Sequence, residues 1–175
     1  TGYVCGILAF TAYDNWKHPH GKHHATAGDL DRRGVGDIWT LTTDEFAEET
    51  PWRRLVYWFV RNPWFMLTVG PVILFLFGNR FPHRGAGPRE RASIVHTNLA
   101  LLAIFTVASL TIGWKTYLMI QIPTLLMAGS MGIWLFYVQH QYEGVHWERH
   151  EHWDPIQAAL QGSSYYKLPK VLQWF

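Results

Sequence analysis

The sequence predicts an all-α integral membrane protein built on a transmembrane helical hairpin, with interfacial helices and a histidine-rich region beside it. Residues 94–113, IVHTNLALLAIFTVASLTIG, and residues 117–137, YLMIQIPTLLMAGSMGIWLFY, contain no Asp, Glu, Lys or Arg. A helix of about 20 apolar residues spans the hydrocarbon core of a bilayer. Only Trp114, Lys115 and Thr116 separate the two stretches, so we predict a hairpin that crosses the membrane twice. Two buried helices of a soluble protein are the alternative, which the lack of charge over such lengths disfavours.

The composition supports the membrane class. Charged residues make up 16% of the chain, against about 25% in average proteins. The formal net charge of +2 does not give the basic surface that nucleic-acid binding requires, so no nucleic-acid partner is expected. The single cysteine, Cys5, cannot form an internal disulfide and is typical of a reducing compartment. Because the chain opens within an apolar run and stops at LQWF, we expect an internal fragment of a longer protein.

The stretch 51–80 is predicted to be an interfacial or re-entrant segment. Thr50 can cap a helix whose first position is Pro51. Four apolar side chains then fall on one helical face, which favours a helix lying along the membrane surface: Trp52, Leu55, Val56 and Phe59. The next apolar run, 64–77, has fourteen residues with a Gly-Pro pair inside it, and this length is too short for a full span.

Positive charge predicts the orientation in the membrane. If 64–77 does not cross, fourteen of the fifteen Lys and Arg residues lie on one side, and only Lys115 lies on the other. The positive-inside rule identifies the side with more positive charge as the cytoplasm. A hairpin returns the chain to the side it left, so the histidine-rich region 14–50 and the segment 138–175 are both predicted on the cytoplasmic face.

The stretch HPHGKHH, residues 18–24, holds four histidines in seven positions. His20, His23 and His24 stand at i, i+3 and i+4, and on a helix these three share one face. Neutral imidazole is a ligand for zinc, copper, iron and nickel, so the spacing predicts a metal site. His18 lies off this face and is given no role.

A fourth candidate ligand, His140, lies about one helical turn beyond the second apolar stretch, where the hairpin would hold it at the membrane surface. Asp29 and Asp31 follow the first histidines and either hydrogen-bond the ligand imidazoles as a second shell or belong to a solvated turn. Three more histidines lie in a polar segment and are expected to be solvated: His146, His150 and His152.

Three segments resemble the membrane fatty acid desaturase family, and together they cover essentially the whole chain. NWKHPHGKHHATAGDLDRRGVGDIWTLT is similar to the second histidine box of the family, H-x-x-H-H, and the loop that follows it. GIWLFYVQHQYEG is similar to the end of the last transmembrane helix of the family, where one more histidine binds metal, and His140 matches that histidine. AALQGSSYYKLPKVLQWF resembles the run before the third box. The resemblance is to bacterial and cyanobacterial acyl-lipid desaturases of the Δ12 (omega-6) kind.

The resemblance implies two iron ions, a di-iron centre held mainly by histidines. The matching ligands are His20, His23, His24 and His140. Such an enzyme introduces a cis double bond into an acyl lipid, with O2 and two electrons from a ferredoxin or cytochrome b5-type donor. The implied location is the bacterial inner membrane, with the histidine box on the cytoplasmic face. Trp16 and Trp134 are candidate walls of the substrate tunnel, with anchoring at the membrane interface as the alternative.

The sequence departs from the family pattern by omission. The resemblance places the first box, H-x-x-x-H, before Thr1 and the third box after Phe175, so neither is expected among the 175 residues. Without those ligands two irons would be under-coordinated, so these residues alone are expected to be inactive.

Three other functions stay open. A carotenoid ketolase or an alkane or sterol hydroxylase also uses clustered histidines and O2. The second class is a non-catalytic metal-binding or transport membrane protein, such as a zinc transporter. Transport requires ionisable groups inside the membrane, and the two apolar stretches contain only His96. A desaturase-like relative without activity would differ in the boxes outside this sequence.

Overall fold

Helices account for all the regular secondary structure in the part of the chain that the structure describes. The structure is a computed structural model and describes residues 1–83 and 85–173. Its seven α-helices are α1 (Gly2–Leu8), α2 (Tyr13–Thr26), α3 (Thr43–Glu48), α4 (Pro51–Val60), α5 (Pro88–Thr111), α6 (Trp114–His140) and α7 (Pro155–Gln161). An isolated bridge between Asp29 and Glu148 is the β-type pairing found in these residues. The predicted all-α class is confirmed.

Helices α5 and α6 form the hairpin, although their ends differ from those of the apolar stretches. α5 begins earlier, at Pro88, because proline at the first helical position leaves no N–H unpaired and has a suitable φ. The chain reverses at Gly113, whose φ of 86° is open to glycine but disfavoured for other residues. Residues 114–116, predicted as the turn, therefore form the first turn of α6.

Both hairpin helices are long and apolar enough to cross a membrane, at 24 and 27 residues. Only 11% of the apolar window of each helix is buried within the chain. The exposed apolar side chains along the two helices include Leu99, Leu110, Met119 and Met127. An apolar surface of this extent requires cover by lipid or by neighbouring protein, since soluble monomers rarely expose one.

The segment between α4 and α5 is bent. It holds two π-helical turns, Phe65–Val69 and Val72–Phe77, and its axis makes an angle of 60° with α4. Pro71 stands between the two turns and cannot donate a backbone hydrogen bond, which interrupts a regular α-helix at this point.

Both ends of the bent segment lie at the end of the hairpin where α6 stops. Arg61 Nη2 donates to Gln141 Oε1 at 3.0 Å, just beyond α6. After the segment, His83 Nδ1 lies 2.9 Å from Asn15 Oδ1 of α2. The backbone of α2 in turn donates to Ser93 Oγ, in the second turn of α5. The chain thus returns to the end from which it entered, as in a re-entrant segment.

The bent segment packs on α6 at two small residues. A Cβ on Gly129 would lie 2.9 Å from the Cβ of Pro71, so only glycine permits this approach. At the next residue, Ser130 Oγ donates to the carbonyl of Leu67. Small residues that let backbones approach are typical of helix contacts in membranes. The contact fixes the depth of the segment along α6.

Candidate metal centre

Helix α2 carries the histidines of the HPHGKHH stretch, and its geometry places three of them on one face. The Nε2 atoms of His20 and His24, one turn apart, lie 3.1 Å from each other. The His23 ring lies beside both, with its centroid 5.5 Å from that of His24. His18 points elsewhere and stacks on His83 with ring centroids 6.0 Å apart.

The hairpin brings His140 to the same place from the other end of the chain. His140 is the last residue of α6, and its Nε2 lies 3.2 Å from the Nε2 of His23. Phe136, one turn earlier on α6, packs its ring against both imidazoles, at 5.2 Å between centroids in each case. The structure therefore brings the four histidines that the sequence put forward as ligands into two neighbouring pairs.

Polar groups hold the Nδ1 atoms of His23 and His140. His23 Nδ1 contacts the carboxylate of Asp37, and His140 Nδ1 donates to the carbonyl of Gly162 at 3.1 Å. A hydrogen-bond acceptor beside Nδ1 keeps the proton of a neutral imidazole on Nδ1. The lone pair of Nε2 is then free to bind a metal. Both imidazoles are thus oriented with Nε2 toward the cluster.

Sequence reasoning did not anticipate Asp37, and the structure gives Asp29 and Asp31 other partners. Asp29 is fully buried and contacts Arg32 and His150, whose Nδ1 lies 2.8 Å away. Burial opposes ionisation of Asp29, but the hydrogen bonds from Arg32 and His150 outweigh it and hold the pKa below its ordinary value. Asp31 pairs with Arg149 at 2.7 Å and accepts from the backbone of His150. These two carboxylates therefore fasten the loop after α2 to the segment after α6.

The segment after α7 closes the end of α6 beside His140. Ser164 donates its backbone N–H to the carbonyl of Gln139 at 2.9 Å and its Oγ to that of Val138 at 2.6 Å. The last carbonyls of a helix have no partner within the helix. The GSS stretch supplies that partner for two of them, and it also provides the Gly162 carbonyl that holds His140.

An apolar cleft of about 830 Å³ opens beside the histidines. Its walls include Trp16, Pro19, His20, Ile73, Leu74, Phe77, Gly132, Ile133 and Phe136. Trp16 stacks on His20 with ring centroids 4.2 Å apart, so the predicted tunnel residue lines the cleft next to a candidate ligand. Trp134, the other predicted wall, packs edge-on against Tyr166 at 5.2 Å instead.

The four imidazoles fit metal ligation in pairs. An imidazole nitrogen binds a first-row metal ion at about 2.0–2.1 Å, so two nitrogens in adjacent coordination positions lie about 3.0–3.4 Å apart. The Nε2 separations of 3.1 and 3.2 Å match this spacing. Within the described residues no three histidine, cysteine or acidic side chains converge on one point. Burial, together with the neighbouring His24, lowers the pKa of His20 and favours its neutral, metal-binding form.

Comparison with known proteins assigns the family. The family model for fatty acid desaturases matches residues 1–175. A curated fatty acid desaturase of Bacillus subtilis (strain 168) is 46% identical over 173 residues, which cover 99% of this chain and 49% of the Bacillus protein. The chain thus spans about half the length of that relative. No solved structure matches significantly. With a family match over its whole length and nearly half of its residues shared with a curated member, this chain belongs to the fatty acid desaturase family.

Proposed function

We propose that the full-length protein is a membrane desaturase with two iron ions, which introduces a cis double bond into the acyl chain of a lipid. One observation carries the proposal: two pairs of imidazoles have Nε2 atoms at the spacing of shared ligation, and one of the four rings, His20, lines an apolar cleft of about 830 Å³. A metal with O2 chemistry beside an apolar channel is the arrangement that oxidation of an unactivated hydrocarbon requires.

The residues of this chain hold and enclose the reacting groups. His20, His23, His24 and His140 would hold iron, and bound iron would supply the O2 chemistry that removes hydrogen from the acyl chain. The remaining ligands would come from the part of the longer protein that is missing here. The walls of the cleft exclude water and align the acyl chain with His20, where Trp16 forms one side.

The reaction sets further requirements on partners and location. Its balance is R–CH2–CH2–R′ + O2 + 2 e⁻ + 2 H⁺ → R–CH=CH–R′ + 2 H2O, so an electron carrier must supply two electrons per double bond. We propose a ferredoxin or cytochrome b5-type donor and a histidine cluster on the cytoplasmic face of the bacterial inner membrane. Δ12 (omega-6) regiochemistry on an acyl lipid is part of the same proposal.

Expression of the full-length gene in a bacterial host without Δ12 products tests the function. Analysis of the lipids by gas chromatography and mass spectrometry should find a new double bond in cells with the wild-type gene. A His140→Ala variant should give none, and His152→Ala, which changes an exposed histidine, should retain the product. An oxygenated product in place of a double bond would contradict the proposal and favour a hydroxylase or ketolase.

A further inference from the structure

A second and much smaller cavity is lined by the pair His23 and His140, neither of which lines the apolar cleft. Its volume is about 20 Å³, and its lining includes His23, Asp37, Phe136, His140 and His146. Phe136 also lines the apolar cleft, and among the described residues it is the one that the two linings share. The four histidines therefore border two separate spaces: His20 lines the apolar cleft, and His23 and His140 line this cavity together with the polar side chains of Asp37 and His146.

His146 brings an unsatisfied polar atom to this cavity. Its Nε2 is enclosed and has no hydrogen-bond partner among the described residues. A buried polar atom without a partner is costly, and native structures satisfy nearly all of them with protein or with ordered water. A cavity holds one water when its volume exceeds about 10–15 Å³ and when two or more polar groups line it. This cavity meets both conditions.

The backbone fixes the position of His146 closely. The carbonyl of His146 would lie 2.7 Å from a Cβ on Gly28, a contact that only glycine allows, and Gly28 has a φ of 80°. Two residues further on, the N–H of Glu148 donates to the Gly28 carbonyl at 2.9 Å. A backbone fixed in this way on both sides of His146 limits where its ring can lie.

From this geometry we infer that His146 binds a water molecule beside His23 and His140, and that this cavity is the solvent side of the metal centre. The inference about its role rests on the proposed function. That reaction forms two H2O for each O2 and takes up two H⁺, and the apolar cleft is unsuited to carry either. Water formed at the centre leaves through the cavity at His146, away from the acyl chain. His146 acts as a positioning residue for this water.

Radiolytic footprinting of the purified full-length protein tests the water independently of activity. Hydroxyl radicals formed from bound water oxidise the side chains next to it, and mass spectrometry measures the rate at Phe136. We expect His146→Leu to lower this rate about fivefold, the effect of losing one hydrogen bond of ordinary strength. His146→Gln, which keeps a polar group near the same place, should restore it, and His152→Leu should leave it unchanged. An unchanged oxidation rate at Phe136 in H146L would overturn the inference that His146 binds a water molecule.

A second variant guards against misfolding of H146L. Ala27 lines the same cavity, and Ala27→Val fills it from another wall while His146 stays in place, so the rate at Phe136 should fall in A27V as well. The role in turnover is measured separately: H146L should lower kcat severalfold with the KM for the acyl substrate and the iron content unchanged. A lower oxidation rate at Phe136 with an unchanged kcat would overturn the inference that product water leaves through this cavity. If the wild-type protein forms no desaturated product, the proposed function is overturned instead. The footprinting rates would still decide whether His146 binds a water molecule.

Discussion

His23 and His140 are separated by 117 positions in the chain, yet their Nε2 atoms lie 3.2 Å apart. One imidazole comes from a short polar helix and the other from the end of an apolar helix of 27 residues. The pair exists because the hairpin returns the chain to its starting end and because Asp37 and Gly162 orient the two rings. The contact therefore depends on both the membrane hairpin and the loops above it.

Asp37→Asn should weaken iron binding without unfolding the protein. The carboxylate of Asp37 contacts His23 Nδ1 and also accepts the backbone N–H of Gly34 at 2.8 Å. Loss of such an outer carboxylate lowers metal affinity roughly 10- to 100-fold. Iron retained by full-length protein against a competing chelator measures the effect, with Asp44→Asn, an exposed carboxylate on α3, as the matched control. Equal retention in both variants would contradict the assigned role of Asp37.

Gly28→Ala should destabilise the protein more than Gly144→Ala. Both glycines have a φ of 80°, which costs an alanine about 1–2 kcal/mol. A Cβ on Gly28 would also meet the His146 carbonyl at 2.7 Å, whereas a Cβ on Gly144 would meet nothing within 4 Å. The difference in thermal unfolding temperature between the two variants isolates the contact between the two loops. Equal losses would show that this contact contributes nothing.

The stability of the protein at acidic pH should depend on Glu45. Hydrogen bonds from the Arg33 guanidinium, the backbone N–H of Thr42 and Arg149 hold the pKa of Glu45 at about 2, against an ordinary value of 4.5. Because the pKa is lower in the folded protein, the stabilisation is complete above pH 4.5 and is lost as the pH falls toward 2. Because solvent screens this partly exposed group, we expect its interactions to contribute about 1–2 kcal/mol to the free energy of unfolding.

A pH series of unfolding temperatures checks this expectation. Wild type should be more stable than Glu45→Gln at pH 6, and the difference should shrink steadily below about pH 4.5. Glu143→Gln, which changes an exposed glutamate, serves as the control. A difference between wild type and E45Q that stays constant down to pH 3 would contradict the role of the ion pairs.

Two glycines one turn apart on α6 should respond differently to a side chain. At Gly129 a Cβ would lie 2.9 Å from Pro71 and 3.1 Å from Phe75, so Gly129→Ala should lower the unfolding temperature, at a cost of about 1–3 kcal/mol. Gly132 lines the apolar cleft, and its Cβ would meet nothing within 4 Å. Gly132→Leu should leave stability near wild type and shift the product toward shorter acyl chains. Unchanged products in G132L would exclude this part of the cleft from substrate binding.

Local rules in the sequence were sufficient for α2, α4 and the two hairpin helices and for grouping the histidines. The i, i+3, i+4 spacing describes α2, and two charge-free stretches describe the hairpin, because helical period and bilayer thickness act on short segments. The cap at Thr50 and the start of α4 at Pro51 followed in the same way.

The loop residues around the site could not be predicted, because tertiary contacts place them. Asp37 and Gly162 reach the histidines from loops without a periodic pattern, whereas Asp29 was chosen for its closeness in sequence and is buried against Arg32 and His150. His146 was expected to be solvated, and the structure encloses its Nε2. No spacing rule distinguishes it from His152 in the same polar segment.

Cysteine accessibility tests the orientation of the whole arrangement. In a full-length variant with Cys5→Ser, single cysteines replace Lys22, Glu143 or Lys115, all exposed positions. A membrane-impermeant maleimide added to intact cells should label position 115 alone, because the proposed orientation places the hairpin turn away from the cytoplasm, and cell lysis should expose positions 22 and 143 together. The bent segment enters and leaves at one end of the hairpin, so these two positions must share a side. Labelling of 22 and 143 from opposite sides would mean that residues 64–77 cross the membrane, and the contact between His23 and His140 could not then form.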